Sequence, residues 1–307
     1  MGMTQEKGPE FSVVITAYNK GVFIRQTVES VLKQTLQDFE MIIIDDGSTD
    51  DTRAIVASFN DSRIRYIYQE NSGLPARGRN KGMGLARGKY IALLDGDDFW
   101  HEDKLRRSKE AFETVPEADV VCHNMEILYN GKTIRKTSFG HYVDNMYKKM
   151  LFEGNCLTPS AVVIRRNIFF KDGFKFDEDE NNTIEDYEYW LRLARNYVFH
   201  FIDDVLGYYH LTDHGFFLSH MKANTTNMIR LLDNHFAQFD KEDKYIQEMI
   251  RKRLSSIMCA AGRMHNHNRD FDESMRWYVR AAREYPINYK AYLGYLLGIL
   301  KIRIIYG

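Results

Sequence analysis

The first hundred residues repeat one pattern: a short, solidly apolar run, a polar turn, then apolar positions at helical spacing. FSVVITAY, 11–18, is rich in β-branched residues and ends polar, and Ile24, Val28, Val31 and Leu32 follow three and four apart. FEMIIIDDGSTDDT repeats the order. Met41 to Ile44 are continuously apolar, Asp45 to Gly47 turn the chain, and Ser48 and Asp50 are candidate caps before Ile55 and Val56. RIRYIYQE, 63–70, reads as a third strand, 76–87 as a helix and KYIALLD, 89–95, as a fourth strand. Strands apolar on both faces, alternating with helices, predict an α/β fold with a mostly parallel central sheet flanked by helices.

Ligands of such sheets bind outside the carboxyl ends of the strands. Polar clusters fall there: Thr16 with Tyr18, Asp45 with Asp46, and Asp95, Asp97 and Asp98. Further on, VVCHNMEILYNGKTI reads as a hairpin turning at Asn130 and Gly131, SAVVIRRNIF as a strand, and IEDYEYWLRLA as a helix with acids in its first turn. From about 224 the pattern is helical, through Ile246, Met249, Ile250, Leu254 and then Phe271, Met275, Tyr278, with Pro286 as a stop. That pair resembles one unit of a helical repeat.

Lysine plus arginine total 42 against 43 acids, a net charge of −1, which argues against a nucleic-acid partner. Cysteines 122, 156 and 259 show no metal or disulfide spacing, and the opening MGMTQEKGPE lacks the apolar core of a leader, so a cytoplasmic location is expected. The longest apolar run, 291–300, is about half of a membrane span. Flanked by Lys290, Lys301 and Arg303, it fits a packed terminal helix first, and peripheral contact with the inner face of a membrane second.

Three acids within four positions at the end of an apolar strand repel one another, so a cation or a set of donors must compensate them. A turn and a helix cap would explain one, not three. Few hard oxygen ligands, with positions open to phosphate, favour Mg²⁺ or Mn²⁺. Glycines 82, 84 and 88 fit neither a dinucleotide nor a Walker loop, because their spacing is wrong and they precede a strand. Most of the basic cluster Arg77, Arg79, Lys81, Arg87 and Lys89 reads as a solvated helix face, and His265 and His267 as solvated tail residues.

VVITAYNKGVFIRQTVESVLKQTLQDFEMIIIDDGSTDDT, ARGRNKGMGLARGKYIALLDGDD and EDYEYWLRLA, in that order over about 10–220, resemble the inverting family 2 glycosyltransferases of the bacterial surface-polysaccharide type. The resemblance implies the GT-A (Rossmann-like) fold over 1–222, with 1–100 the nucleotide-binding half, 101–222 the acceptor half, and an α-helical C-terminal region over 223–307. It implies that Thr16, Ala17 and Tyr18 line the base pocket, that Asp46 holds a uracil-type edge, and that Arg79 helps bind the donor. Asp95 and Asp97 form the D-x-D pair for ribose and metal, supported by Asp98, and Asp186 is the general base with Glu185 beside it. Where many relatives carry arginine and histidine after paired tyrosines, this chain has His210 and Thr212, and His214 is a candidate substitute for a phosphate or metal role. Segments 140–158 and 211–224 are candidate lids.

The expected reaction is metal-dependent transfer of a sugar from a nucleotide diphosphate sugar, a UDP-sugar first, to a hydroxyl of a glycan or lipid-linked glycan. A nucleotidyltransferase on a similar sheet and a non-catalytic nucleotide-sugar binder are the alternatives.

Overall fold

The computed structural model describes residues 8–137, 145–179, 182–211 and 221–304, with no side-chain account of 221–223. It divides into two compact units: residues 1–147, 156–180 and 185–212 in the first, and 148–155, 181–184 and 213–307 in the second. Short pieces from the middle of the chain thus cluster with the helical tail.

The first unit is built on a nine-stranded sheet ordered β3-β2-β1-β4-β8-β6-β9-β5, with β7 paired to β6. The strands are β1 Phe11–Ala17, β2 Phe39–Asp46, β3 Ile64–Gln69, β4 Tyr90–Asp95, β5 Phe99–Trp100, β6 Val120–Tyr129, β7 Lys132–Lys136, β8 Val162–Arg165 and β9 Phe199–Leu211. In chain order the helices of both units are α1 Ile24–Leu32, α2 Thr52–Ala57, α3 Pro75–Gly84, α4 Lys104–Thr114, α5 Met146–Glu153, α6 Arg166–Phe170, α7 Glu185–Asn196, α8 Met221–Phe236, α9 Lys244–His267, α10 Phe271–Glu284 and α11 Tyr289–Ile299.

The α/β expectation stands. Strands β1 to β4 pair in parallel, as their solid apolar runs predict, while β8 joins β4 antiparallel and leads into a mixed half. One face of the sheet buries Phe11, Val13, Ile15, Met41, Ile43 and Leu94 against Ile24, Val28 and Val31 of α1. The hairpin turns at Asn130 and Gly131, with φ of 50° and 74°, the left-handed pair that a two-residue turn requires.

Gly82 shows why the glycine-rich stretch is a packing device. A Cβ there would stand 2.3 Å from Val14 Cγ1, so α3 lies directly on β1. Gly82→Ala gains about 1 kcal/mol of helix propensity but overpacks a fixed strand side chain, which costs about 1–3 kcal/mol. The expected result is a net loss of stability, seen as a lower urea midpoint.

The second unit packs α9, α10 and α11 around Tyr278. Cβ atoms at Gly262 and Gly294 would meet its ring Cζ at 2.9 Å and 2.1 Å, so both neighbouring helices need glycine to approach it. Asp243 caps α9 by accepting from the N–H groups of Tyr245 and Ile246, and Asp270 caps α10 through Glu273 N–H. The tail histidines are structural rather than solvated: His265 is buried with Nδ1 3.1 Å from Asp270 Oδ2, and His267 Nδ1 lies 3.1 Å from the Ile304 carbonyl.

Candidate active site

Register sets the site. Thr16 stands opposite Asp95 and Ala17 opposite Asp45 across neighbouring parallel strands, so residues far apart in sequence emerge at one sheet edge. The loop after β1 is laced to the loop after β2. Asn19 N–H donates to Ser48 Oγ, Thr49 N–H to Asn19 Oδ1, Lys20 N–H to Thr52 Oγ1 and Gly21 N–H to Asp50 Oδ2, all at 2.8–2.9 Å. Asp50 also receives Thr52 N–H, so it fastens two loops, while the N-cap of α2 is Asp51 rather than the expected Ser48 or Asp50.

The two β2 acids differ in role. Asp45 is fully buried, holding the Tyr66 hydroxyl and Ser48 N–H. Asp46 sits at the strand end and accepts from Gln69 Nε2 at 2.5 Å and from Ser72 N–H and Oγ at 3.0–3.2 Å, which anchors the loop after β3. Tyr18, 46% exposed, offers an open aromatic face next to Ala17, which is buried.

The acids after β4 are compensated separately, in part by the chain's own cations. Lys20 Nζ lies 2.5 Å from Asp97 Oδ2. Arg79 donates through Nη2 to Asp95 Oδ1 at 2.9 Å, and Thr16 Oγ1 lies 3.4 Å from the same oxygen. Asp98 is buried, with its carboxyl oxygens 2.5 Å from Ser160 Oγ and 3.2 Å from His210 N–H. Burial first, then the charges of Asp97 and Asp95, pushes its carboxyl well above the usual carboxylate range. It does not cap a helix, because β5 intervenes before α4.

Arg79 reaches a second acid. Its Nη1 donates to Glu185 Oε1 at 2.8 Å, and its guanidinium lies 5.4 Å from the Phe176 ring centroid. One buried guanidinium therefore ties the strand-end acids to the first turn of α7, and Asp186 is the next residue. Desolvation, then the neighbouring Glu185 carboxylate, pushes Asp186 up to about 7, against the pull of Arg79 and a 2.6 Å hydrogen bond from Tyr187 N–H. Asp186 keeps partial solvent access, as a group that takes a proton from a bound hydroxyl needs.

Sequence reasoning did not single out Lys20 or Ser160. The lysine's only signal is its place in the loop after β1, and Ser160 reaches the site because β8 docks antiparallel on β4. His210 is at the site: its Nδ1 is 2.5 Å from the Asp97 carbonyl, and its ring lies against Phe23 and Phe99. The remaining basic cluster disperses. Arg87 pairs with Glu40, Lys89 lies 3.7 Å from Glu10, and Arg77 lies 3.9 Å from Glu178.

The expected metal set is Asp95, Asp97 and His214. His214 lies outside the described residues, as do 140–144 and 212–220 of the candidate lids; among the described residues no three His, Cys, Asp or Glu side chains converge on a cation position. What the edge offers is one or two carboxylates. That donor set fits Mg²⁺ or Mn²⁺ held largely by substrate phosphates, and does not fit an all-protein cage.

A model of glycosyl transferase family 2 matches residues 12–172, more than half of the chain. The chain belongs to glycosyl transferase family 2. The family 2 chain is 41% identical over 117 residues to glycosyltransferase GlyG of Streptococcus pneumoniae, covering 37% of this chain and 38% of that protein. It is 36% identical over 134 residues to the succinoglycan biosynthesis protein ExoO of Rhizobium meliloti, covering 43% and 38%. It thus spans well under half the length of these curated relatives. Among solved structures, TarS of S. aureus in complex with UDP-GlcNAc superimposes with a TM-score of 0.65 at 17% identity, over 94% of this chain and 90% of that one. The mannosyltransferase PcManGT of Pyrobaculum calidifontis, in complex with GDP-Man and Mn²⁺, gives 0.59 at 14% identity, over 95% and 80%. At these identities the likeness shows a shared GT-A fold.

Proposed function

We propose that this chain transfers a sugar from a nucleotide diphosphate sugar, a UDP-sugar first, to a hydroxyl of a glycan or lipid-linked glycan in surface-polysaccharide synthesis, with inversion at the anomeric carbon. The observation that carries the reading is the Asp95–Arg79–Glu185 bridge. It ties Asp95 at the strand end to Glu185, the residue before Asp186 in the first turn of α7.

Each side chain has a task in that reaction. Tyr18 stacks on the base, Asp46 and Thr16 border it, and Asp95 takes ribose hydroxyls. Asp186 removes the acceptor proton as the oxygen attacks, a step worth about 10²–10⁴-fold. Asp97, with Asp95, would hold a divalent ion, whose contribution is to neutralise the departing diphosphate. Lys20 holds positive charge at Asp97 and is placed to meet the same phosphates. A base on one face of the sugar and the leaving group on the other is the arrangement of single displacement.

The test is a thermal-shift screen of UDP-, GDP- and dTDP-sugars with and without Mn²⁺, followed by product analysis. A UDP-sugar with Mn²⁺ is expected to raise the melting temperature by mass action and, with acceptor, to release UDP. Pyrophosphate as product would assign a nucleotidyltransferase. Binding that no cation alters for any sugar nucleotide would remove the role given to Asp97.

A further inference from the structure

Helix α11 is built inside out. Its buried positions, Ala291, Gly294 and Gly298, carry almost no side chain, and they let the helix press onto α10, where Cβ atoms at Gly294 and Gly298 would stand 2.1 Å from Tyr278 and 2.7 Å from Met275. The large apolar residues face the other way. Tyr292, Leu293, Leu296, Ile299, Leu300 and, just beyond the helix, Ile302 are each 48–61% exposed. A helix that only had to finish a globular bundle would turn its leucines inward and its small or charged residues outward. Isolated exposed leucines are ordinary, whereas a contiguous face of them marks an interaction site.

The charges around this face select its partner. From Tyr285 to Gly307 the sequence contains no aspartate or glutamate, while Lys290, Lys301 and Arg303 flank the apolar run. A two-fold contact between copies would set this acid-free cationic patch against itself. An anionic bilayer surface complements it, with tyrosines suited to the headgroup level and leucines to the acyl boundary beneath. The helix lies on such a surface and does not cross it, since no helix among the described residues is long and apolar enough to span.

We infer that α11 is a membrane-surface anchor, seating its Tyr292–Leu293–Leu296–Ile299 face in the interface of a bilayer rich in anionic lipid. The inference does not depend on the sugar-transfer reading, because it is tested by partitioning and not by turnover.

The experiment is flotation of the full chain with phosphatidylcholine vesicles, plain or containing about one-third phosphatidylglycerol. The parent chain should float with the anionic vesicles, and about 100-fold more weakly with the neutral ones, given three cations near the surface at about 1 kcal/mol each. The triple variant Leu293→Ser, Leu296→Ser, Ile299→Ser should lose binding to both by about 100-fold, because it removes three interfacial apolar side chains. Its melting temperature should stay at the parent value, since these positions are exposed. A parent chain that stays with the soluble fraction in both cases overturns the inference, as does a triple variant that floats like the parent. A lipid-free dimer that the triple variant dissociates, in a chain that ignores vesicles, assigns the face to a second copy instead.

Discussion

Asp186→Asn should abolish turnover and stabilise the protein. The amide cannot accept the acceptor proton, so transfer is expected to fall by about 10²–10⁴-fold with donor binding retained. The stability change follows from the carboxyl's ionisation. Folding raises Asp186 from an ordinary value of 3.8 to about 7, so the folded state prefers the protonated form. Stability is full below the unfolded value and declines as pH rises from about 4 through about 7. Asparagine removes that decline and still accepts from Tyr187 N–H. The variant should therefore melt at a higher temperature than the parent at pH 8, by a few kcal/mol of stability, and similarly to it at pH 4. In the parent, turnover should rise with pH through about 7 as the base form fills. Parental turnover in Asp186→Asn, with normal donor affinity, would take the base role away from this residue.

Arg79→Met should have the opposite effect on stability. It leaves Asp95 and Glu185 without the cation between them in a largely desolvated site, a loss of about 3–5 kcal/mol. Arg79→Lys should recover little, because a single ammonium cannot fork to two carboxylates as the guanidinium does. A second readout separates this from general loosening. The Arg79 charge holds the Asp186 ionisation down, so in folded Arg79→Met the rise of turnover with pH should move to more alkaline values. Urea midpoints within about 1 kcal/mol of the parent would show that the bridge does not carry this load.

The contrast between these residues explains how much of the site could be read from the chain. Strands β1 to β4 were legible because double-sided burial leaves solid runs such as Met41 to Ile44, and the hairpin because Asn130 and Gly131 take a conformation few residues adopt. The strand-end acids stood out as charge that an apolar strand should not carry. How that charge is compensated did not. A divalent ion looks necessary from the acids alone, whereas Lys20, Arg79 and the hydrogen bonds of Ser160 and His210 to Asp98 already meet part of the requirement. Those partners come from a loop 77 residues earlier in the chain, from α3, from just before β8 and from β9, and none has a local signature. The β6–β9 pairing was equally hidden, because it joins segments separated by the whole of β7 to α7 and shifts register around Asn124.

The parallel pairing of β1 with β4 has a consequence for how chains of this kind can vary in length. Thr16 faces Asp95 because every residue from Tyr90 onward is matched one for one with the central strand. Successive side chains alternate between faces, so one inserted residue within β4 would flip Asp95 to the wrong side of the sheet. Insertions and deletions should therefore accumulate in open turns such as that at Gly131, where nothing lies within 4 Å of an added Cβ, while the spacing from Tyr90 to Asp98 stays constant.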